Sequence, residues 1–331
     1  MARAWHLKSR PTGLPTAENF EFKDVPHSDL QDGQLRVRNS WLSVDPYMRG
    51  RMNDVKSYVP PFQIGEPLQG GAVGEVIESK ADGYAPGDQV LHMMGWRDES
   101  VVDVAGTQMP PQKLPAGQDP QLFLHNLGLT GATAYFGLLK TAEAKADDVV
   151  FVSAAAGAVG SAVVQIAKAK GMTVIGSAGG PDKCAWVKEL GADDCIDYKA
   201  GGVLKQLQAA APKGIDVYFD NVGGEHLDAA YATARNNARF AICGMIDAYN
   251  DGKPLELRYF MRTISARIRT VGFIYTDYIA HIGEFMQDAG AMIASGQLQA
   301  RTTVKEGVEN TLDAFLGLFS GQNTGKMLVR V

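Results

Sequence analysis

Cysteine is scarce in this 331-residue chain: only Cys184, Cys195 and Cys243 are present. They form no CxxC pair and no cluster with histidine at metal-ligand spacing. A disulfide framework and a structural zinc are therefore excluded as organising devices, and a reducing cytoplasm is the expected compartment. The six histidines, His6, His27, His92, His125, His226 and His281, are scattered, again without metal spacing. Positive charge is not in excess, with 32 Lys and Arg against 37 Asp and Glu for a net charge of −5. That balance argues against a sequence-independent hold on nucleic acid or on an anionic membrane surface. Long apolar runs are also few. The opening, Met1-Ala2-Arg3-Ala4-Trp5-His6-Leu7-Lys8, lacks the apolar stretch of a signal peptide. The uncharged stretch Val149–Ala167, 19 residues, has the length of a short membrane span. Its interior reads otherwise: a β-branched and aromatic opening, then Ala154-Ala155-Ala156-Gly157-Ala158-Val159-Gly160, then Val159, Val163 and Ile166 at helical spacing.

What the chain does contain is ordinary globular material, 45% hydrophobic and 21% charged, with 37 glycines and 15 prolines marking many tight turns. Its length suggests two domains. Residues 1–122 are short apolar runs broken by Gly, Pro and Asp, such as Leu35-Arg36-Val37-Arg38-Asn39 and Gly71-Ala72-Val73-Gly74-Glu75-Val76-Ile77, and predict a mostly β domain. From residue 123 strands and helices alternate. Strands are expected at 149–153, 172–177, 194–198, 215–220, 238–243 and 269–275, with helices near 158–170, 182–190, 203–211, 225–234 and 278–296. Two βαβαβ series of this kind make a doubly wound, six-stranded parallel sheet of the Rossmann type, an α/β fold. The last segment, 297–331, returns to short mixed pieces ending in Lys326-Met327-Leu328-Val329-Arg330-Val331. It is expected to rejoin residues 1–122, so that residues 123–296 form an inserted domain.

The densest chemical signal is Ala154-x-x-Gly157-x-x-Gly160 between a strand and a helix, a relative of the GxGxxG fingerprint with alanine in place of the first glycine. A tight turn there lets backbone N–H groups at a helix N-terminus approach a pyrophosphate, and the small residue at 160 lets helix and strand pack closely. Without the βαβ series around it, such a turn would read as a close-packed corner. The second strand separates the two nicotinamide cofactors. NAD calls for Asp or Glu about 20 residues past the turn to accept from the ribose 2′-hydroxyl. The residue there is Ser177, in the stretch Gly176-Ser177-Ala178-Gly179-Gly180-Pro181-Asp182-Lys183. A strand end without a carboxylate and with Lys183 in reach suits a 2′-phosphate, which makes NADP(H) the expected cofactor. The plainer reading of Lys183 is a solvated residue in a helix first turn.

Longer segments carry a resemblance that covers nearly the whole chain. They are Val44-Asp45-Pro46-Tyr47-Met48-Arg49, Gly131-Ala132-Thr133-Ala134-Tyr135-Phe136-Gly137-Leu138, Ala154 through Gly160, Phe219-Asp220-Asn221-Val222-Gly223-Gly224-Glu225, Ile242-Cys243-Gly244, and Asn323 with Gly325-Lys326. In these the sequence resembles the zinc-independent medium-chain dehydrogenase/reductases, in the branch of prostaglandin reductases, curcumin reductases and plant alkenal double-bond reductases. The resemblance implies a GroES-like fold for the mostly β domain and a homodimer. It implies that Ala156, Gly157, Ala158 and Val159 hold the pyrophosphate and that Lys183 and Tyr198 hold the 2′-phosphate. Asn221, Cys243, Gly244, the backbone around Phe273 and Ile274, and Asn323 would line the rest of the nicotinamide nucleotide. Tyr249 matches a tyrosine near the nicotinamide ribose assigned to proton delivery or substrate positioning, and Tyr47 lies in the substrate-side motif. Zinc-dependent relatives carry a Gly-His-Glu segment where this chain reads Gly70-Gly71-Ala72-Val73-Gly74-Glu75. The chain departs from the pattern at Ser265, where some mammalian relatives have a further tyrosine, and across Tyr249–Arg262 and Tyr275-Thr276-Asp277-Tyr278.

The expected chemistry is a 2-alkenal reductase reaction: hydride from NADPH to the β-carbon of an α,β-unsaturated ketone or aldehyde, then a proton to the α-carbon. Charge gathers on the carbonyl oxygen as hydride arrives, and a hydrogen-bond donor aimed at it lowers the barrier. Tyr249 and the cofactor ribose hydroxyl are the candidate donors. Tyr47 and Tyr249 also have a plainer reading as half-buried aromatics satisfying local backbone groups. Cys243, without a His or Asp arranged beside it, reads as a small strand-end residue rather than a nucleophile. A quinone reductase with the same cofactor site and a non-catalytic NADPH-binding protein are the competing functions.

Overall fold

The computed structural model describes residues 1–105, 109–250, 252 and 254–331. The chain divides into two compact units. One consists of Met1–Leu124, Thr302–Asn323 and Met327–Val331; the other is His125–Arg301 with Thr324–Lys326.

The first unit opens with strands β1 (Ala2–Leu7), β2 (Phe20–Val25) and β3 (Gln34–Ser43), then the short helix α1 (Tyr47–Arg51). Strands β4 (Ala72–Ser79), β5 (Gln89–His92), β6 (Glu99–Asp103) and β7 (Gln112–Lys113) follow. Alternation along β3 places Leu35, Val37 and Leu42 inside and Arg36 and Arg38 on the rim, the pattern of an antiparallel strand with one covered face. β1 and β2 form a separate antiparallel pair.

In the second unit helix α2 (Leu129–Phe136) leads into a wider π turn over Gly137–Thr141. Then come β8 (Val149–Val152), α3 (Ala158–Ala169), β9 (Thr173–Ala178), α4 (Pro181–Glu189), β10 (Asp194–Asp197), α5 (Val203–Ala210), β11 (Ile215–Asp220), α6 (Gly224–Thr233), β12 (Ala234–Ile242), α7 (Arg262–Ser265), β13 (Arg269–Gly272) and α8 (Ile282–Ala294). The six strands pair in parallel in the order β10-β9-β8-β11-β12-β13, the doubly wound order whose reversal lies between β8 and β9 on one side and β11 on the other. The central strands are buried on both faces, as in Val150, Phe151 and Val152, and α3 buries Gly160 through Ala167. The uncharged stretch is therefore core, and among the described residues no helix is long and apolar enough to cross a membrane.

The final part of the chain, β14 (Thr302–Glu306), α9 (Thr311–Phe319) and β15 (Lys326–Arg330), completes the first unit. Its large sheet runs β14-β15-β3-β4-β5-β7, with β6 also paired to β3. Phe315 of α9 meets Trp96 edge to face at 5.6 Å in the same core as Leu7, Leu42 and Met48.

Three elements differ from their sequence-based bounds by more than two residues at one end. β12 starts at Ala234 instead of 238, because a bulge with Asn237 in the left-handed region (φ 64°) carries the strand through the polar Arg235-Asn236-Asn237. β13 stops at Gly272, where Phe273 turns inward to meet Phe219 at 6.1 Å. The helix expected from 278 starts at Ile282, after a 3-10 segment Tyr275–His281 broken at Tyr278. Tyr278 is held off the helical path by stacking on Phe136 at 5.3 Å and by a 2.8 Å hydrogen bond with Thr141.

Candidate functional site

The strand-to-helix corner after β8 is built from backbone. Ala154 takes a left-handed φ of 48°, and its carbonyl accepts the Gly157 N–H at 2.9 Å. Gly157 then caps α3 with extended backbone (φ −88°, ψ 177°). A Cβ on Gly160 would lie 2.2 Å from the Ala154 carbonyl oxygen, so only glycine lets the first helical turn sit this close to the corner. The spacing G-x-G-x-x-G, counted strictly, puts its first position at Ala155; the left-handed turn is made one residue earlier, at Ala154. The first intrahelical donor is Ser161, to the Gly157 carbonyl at 2.9 Å. The N–H groups of Ala158, Val159 and Gly160 therefore have no carbonyl within the helix to bond, and no acidic side chain occupies that turn. Two neighbours fix the corner: Ala155 N–H donates to Ser177 O at 2.8 Å, and Gly325 N–H to Ala156 O at 2.8 Å.

The end of β9 forms a second cradle. Gly180 (φ 100°) starts α4, and Asp197 Oδ1 at the end of β10 accepts from both Gly180 N–H (2.8 Å) and Lys199 N–H (3.0 Å). Tyr198 lies over the glycine pair: a Cβ on Gly179 would come within 2.7 Å of its hydroxyl oxygen. Lys183 and Lys199 stand near one another here. Partial burial, and then the Lys199 charge, pull the Lys183 ammonium below its ordinary value. Two ammonium groups sharing a strand end with no carboxylate at residue 177 suit a doubly charged anion. Ser177 itself is wholly buried, with Oγ 2.9 Å from His226 Nε2, so its hydroxyl faces the interior. Lys199 and His226 are the residues that spacing arguments missed; Lys199 sits in the Asp197-Tyr198-Lys199 run, while nothing in the sequence ties His226 to this strand end.

The third group gathers at the ends of β11 and β12. Asp220 is fully buried, and its Oδ1 accepts from the Tyr218 hydroxyl (2.7 Å), Val222 N–H (2.9 Å) and Gly223 N–H (2.8 Å). Burial still raises its carboxyl above the ordinary range, against those donors. Its carbonyl takes the N–H groups of Cys243 (2.9 Å) and Gly244 (3.0 Å). Asn221 donates Nδ2–H to Ser153 O at 2.8 Å, tying this turn to the end of β8. Cys243 is pushed up to about 12, first by burial and then by Asp220, so it stays a thiol. A Cβ on Gly244 would lie 2.8 Å from the Tyr249 hydroxyl oxygen, so the glycine admits the phenol. That oxygen accepts Met245 N–H at 3.3 Å. Phe273 is buried in the core, Ile274 is half-buried, and Ile274 N–H donates to Asp277 Oδ2 at 3.2 Å. Positions 251 and 253 of the Tyr249–Arg262 segment lie outside the described residues.

The second unit thus brings together Ala156 through Gly160, Lys183, Tyr198, Asn221, Cys243, Gly244 and Tyr249 at the carboxyl ends of its parallel strands, where doubly wound sheets bind ligands. Asn323 and Tyr47 belong to the first unit. Tyr47 is half-buried at the start of α1, a five-residue helix pinned by two buried arginines. Arg49 donates to Gly13 O at 2.9 Å; Arg51 donates to Pro60 O at 2.9 Å and lies over the Phe62 ring at 4.0 Å. Among the described residues no group of three or more His, Cys, Asp or Glu side chains could hold a metal ion.

Comparison with known proteins agrees with this architecture. Residues 3–109 match the family described as the N-terminal domain of oxidoreductase, and residues 158–292 match the zinc-binding dehydrogenase family. The chain is 40% identical to the NADPH-dependent curcumin reductase of Escherichia coli (strain K12), over 99% of this chain and 96% of that protein. It is 37% identical to prostaglandin reductase 1 of Bos taurus, over 99% of each. The crystal structure of CurA from Vibrio vulnificus in complex with NADPH superposes with a TM-score of 0.93 at 40% identity, covering 99% of both chains. The Escherichia coli quinone oxidoreductase complexed with NADPH, 20% identical with a TM-score of 0.80 and full coverage of both, shares the fold.

Proposed function

Because the chain belongs to the medium-chain dehydrogenase/reductases, in the branch of the curcumin and prostaglandin reductases, we propose that it is an NADPH-dependent oxidoreductase that reduces carbon–carbon double bonds conjugated to a ketone or aldehyde carbonyl. The observation that carries the reading is the pair of cradles in the second unit: a glycine corner presenting helix N–H groups, and a strand end with serine rather than a carboxylate at residue 177, flanked by Lys183, Lys199 and Tyr198. The residues fit the group: a side chain at 160 would fill the first cradle, and the second concentrates positive charge where a 2′-phosphate needs it. Bound there, NADPH supplies the hydride.

The chain's own residues then have definite work. The α3 N-terminus and Lys183 orient the nucleotide through its anionic groups, and Asn221 fixes the turn that carries Cys243 and Gly244 towards the same strand ends. Tyr249 offers its phenolic proton to the oxygen that gathers charge as the enolate forms, the role of an oxyanion-hole donor. A phenol of ordinary pKa near ~10 is a poor acid towards water and a serviceable donor to an enolate. Tyr47 is assigned to the substrate side. Conjugation lets the carbonyl oxygen take up charge with hydrogen-bond donors alone, and the reaction is read as zinc-independent. The exposed edge of β13, beside Phe260, Met261 and Ile264, is read as a homodimer contact, and the compartment as cytoplasmic.

The test follows NADPH absorbance with an enone, the matching saturated ketone and a quinone in parallel. The enone alone should be turned over; oxidation with the quinone alone would overturn the proposal. Two variants divide the site. Tyr249→Phe should lower kcat about a hundredfold or more. Lys183→Ala should cut the preference for NADPH over NADH about tenfold or more, through KM.

A further inference from the structure

We propose that His226 is a positioning residue for cofactor choice: through Ser177 and Tyr198 it holds the 2′-phosphate side of the site in shape. The inference rests on the NADPH reading above and adds to it a residue from a separate element, the first turn of α6.

The geometry is a chain of three contacts. His226 is 6% exposed, and its Nε2 lies 2.9 Å from Ser177 Oγ at the end of β9. One face of its ring stacks on Phe151 of β8, with centroids 6.4 Å apart and planes at 14°. Tyr198 meets the ring at 72° with centroids 5.6 Å apart, in an edge-to-face pair. Its hydroxyl end lies against Gly179, where a Cβ would come within 2.7 Å of the phenolic oxygen. A tyrosine that is 39% exposed would ordinarily sample several rotamers. Here it is confined between a glycine backbone and an imidazole wall that is itself fixed by a hydrogen bond and a stack. Burial lowers the His226 pKa to about 4, so at neutral pH the ring is an uncharged wall. His226 thus adds no charge to a phosphate; it acts by fixing Tyr198, and through Ser177 the strand end that leads to Gly179 and Lys183. Burying a serine and a histidine where two apolar groups would fill the space is costly unless both are satisfied, and here each satisfies the other.

The experiment measures KM and kcat for NADPH and NADH with one enone in the full-length enzyme, and the Kd of each oxidised cofactor by fluorescence titration without substrate, which should move with KM. His226→Ala should reduce the NADPH/NADH preference about tenfold, the loss lying in KM for NADPH rather than in kcat. Ser177→Ala/His226→Phe, which removes both polar partners and keeps a flat ring, should recover the preference to within about threefold. In a Tyr198→Ala background the His226→Ala change should cause a clearly smaller further loss, about threefold or less, since only the part of its effect that runs through Ser177 remains. Should His226→Ala fail to fold, His226→Gln keeps a hydrogen bond to Ser177 without the ring, and it too should lose preference. An undiminished preference in His226→Ala or His226→Gln overturns the proposal, and so does a full further loss of about tenfold in the Tyr198→Ala background. If the unsubstituted enzyme takes NADH as readily as NADPH, the cofactor reading itself falls and the proposal with it. That outcome is told apart because it shows before any substitution is made.

Discussion

Ala154 adopts a backbone conformation that costs an L-residue about 1 kcal/mol, and Gly160 occupies a space in which no other residue fits. The two positions face one another across the corner, yet they predict opposite outcomes. Ala154→Gly removes the left-handed strain and leaves the carbonyl in place, so it should raise stability by about 1 kcal/mol, less the extra freedom glycine has in the unfolded chain, with NADPH affinity changed by less than about twofold. Gly160→Ala places a methyl group 2.2 Å from a backbone oxygen and 2.8 Å from its carbon, and backbone cannot rotate away as a side chain would. It should cost about 2 kcal/mol and weaken NADPH at least tenfold, because the turn that aims the N–H groups must open. Thermal melts with a fluorescence titration read both; a Gly160→Ala enzyme that melts and binds like the parent would show that the close approach is not what aims those groups. At this scale the places of Gly157, Gly160 and Lys183 at the strand ends were legible because they follow from spacing along strand–turn–helix units. Ser177 and His226 were not. The inward turn of the serine depends on a histidine 49 residues away on another helix, and no local pattern records that contact.

Among the elements, the strands flanked by turn residues were legible and those shaped by their neighbours were not. β11 reads as Ile215–Asp220 from its apolar run alone and is found there. β12 hides its first residues behind Arg235-Asn236-Asn237, which look like a turn and form a bulge inside the strand. β13 is cut short by the inward turn of Phe273, a packing decision made by Phe219 and by Gly137, where a Cβ would come within 2.3 Å of the Phe273 ring. That shortened strand is the sheet edge, and α7 beside it exposes Ile264 at 72%, with Met261 just before it also at 72%. An unpaired edge flanked by apolar side chains calls for cover, and a second copy related by a two-fold axis would supply an identical edge. Light scattering should therefore give twice the 35.6 kDa chain mass at micromolar concentration. Ile264→Lys, a change at a side chain that packs little within its own chain, should shift the population towards monomer without lowering the far-ultraviolet signal. A chain that is monomeric before substitution would leave the β13 edge without its assigned partner.

Across the whole molecule, each unit carries a histidine that its core holds neutral, and this sets how the protein responds to acid. In the first unit His92 accepts Met94 N–H at Nδ1 (3.1 Å) and presents Nε2 to Asn39 Oδ1 at 2.9 Å, so a second proton has no place on the ring. Burial lowers its pKa to about 3, as it lowers that of His226 in the second unit to about 4. Both values are depressed below the unfolded value of about 6.5. Between that value and the folded pKa the unfolded chain binds the extra proton and the folded chain does not, so stability is complete above pH ~6.5 and is lost as pH falls. Linkage gives about 1.4 kcal/mol per pH unit for each group, or about 2 kcal/mol per histidine by pH 5. Surface carboxylates such as Asp88 and Glu284, whose pKa values are lowered by lysine partners, shift the same balance only below about pH 4. Above about pH 5 the balance is therefore set mainly by buried groups: these two histidines, His6, whose pKa burial also lowers, and in the opposite sense Asp220, whose carboxyl burial raises. Urea unfolding at pH 8, 6.5 and 5 should show little change over the first step and a fall of about 4 kcal/mol over the second if the two units unfold together. If they unfold separately, two transitions should each move by about half as much. His92→Gln, which keeps a donor and an acceptor without a titrating ring, should reduce the acid sensitivity of the first unit to the part carried by His6, whose pKa burial also lowers, and leave that of the second. A stability that stays level down to pH 5 would mean that these rings take up protons in the folded state, which their hydrogen bonds and burial forbid.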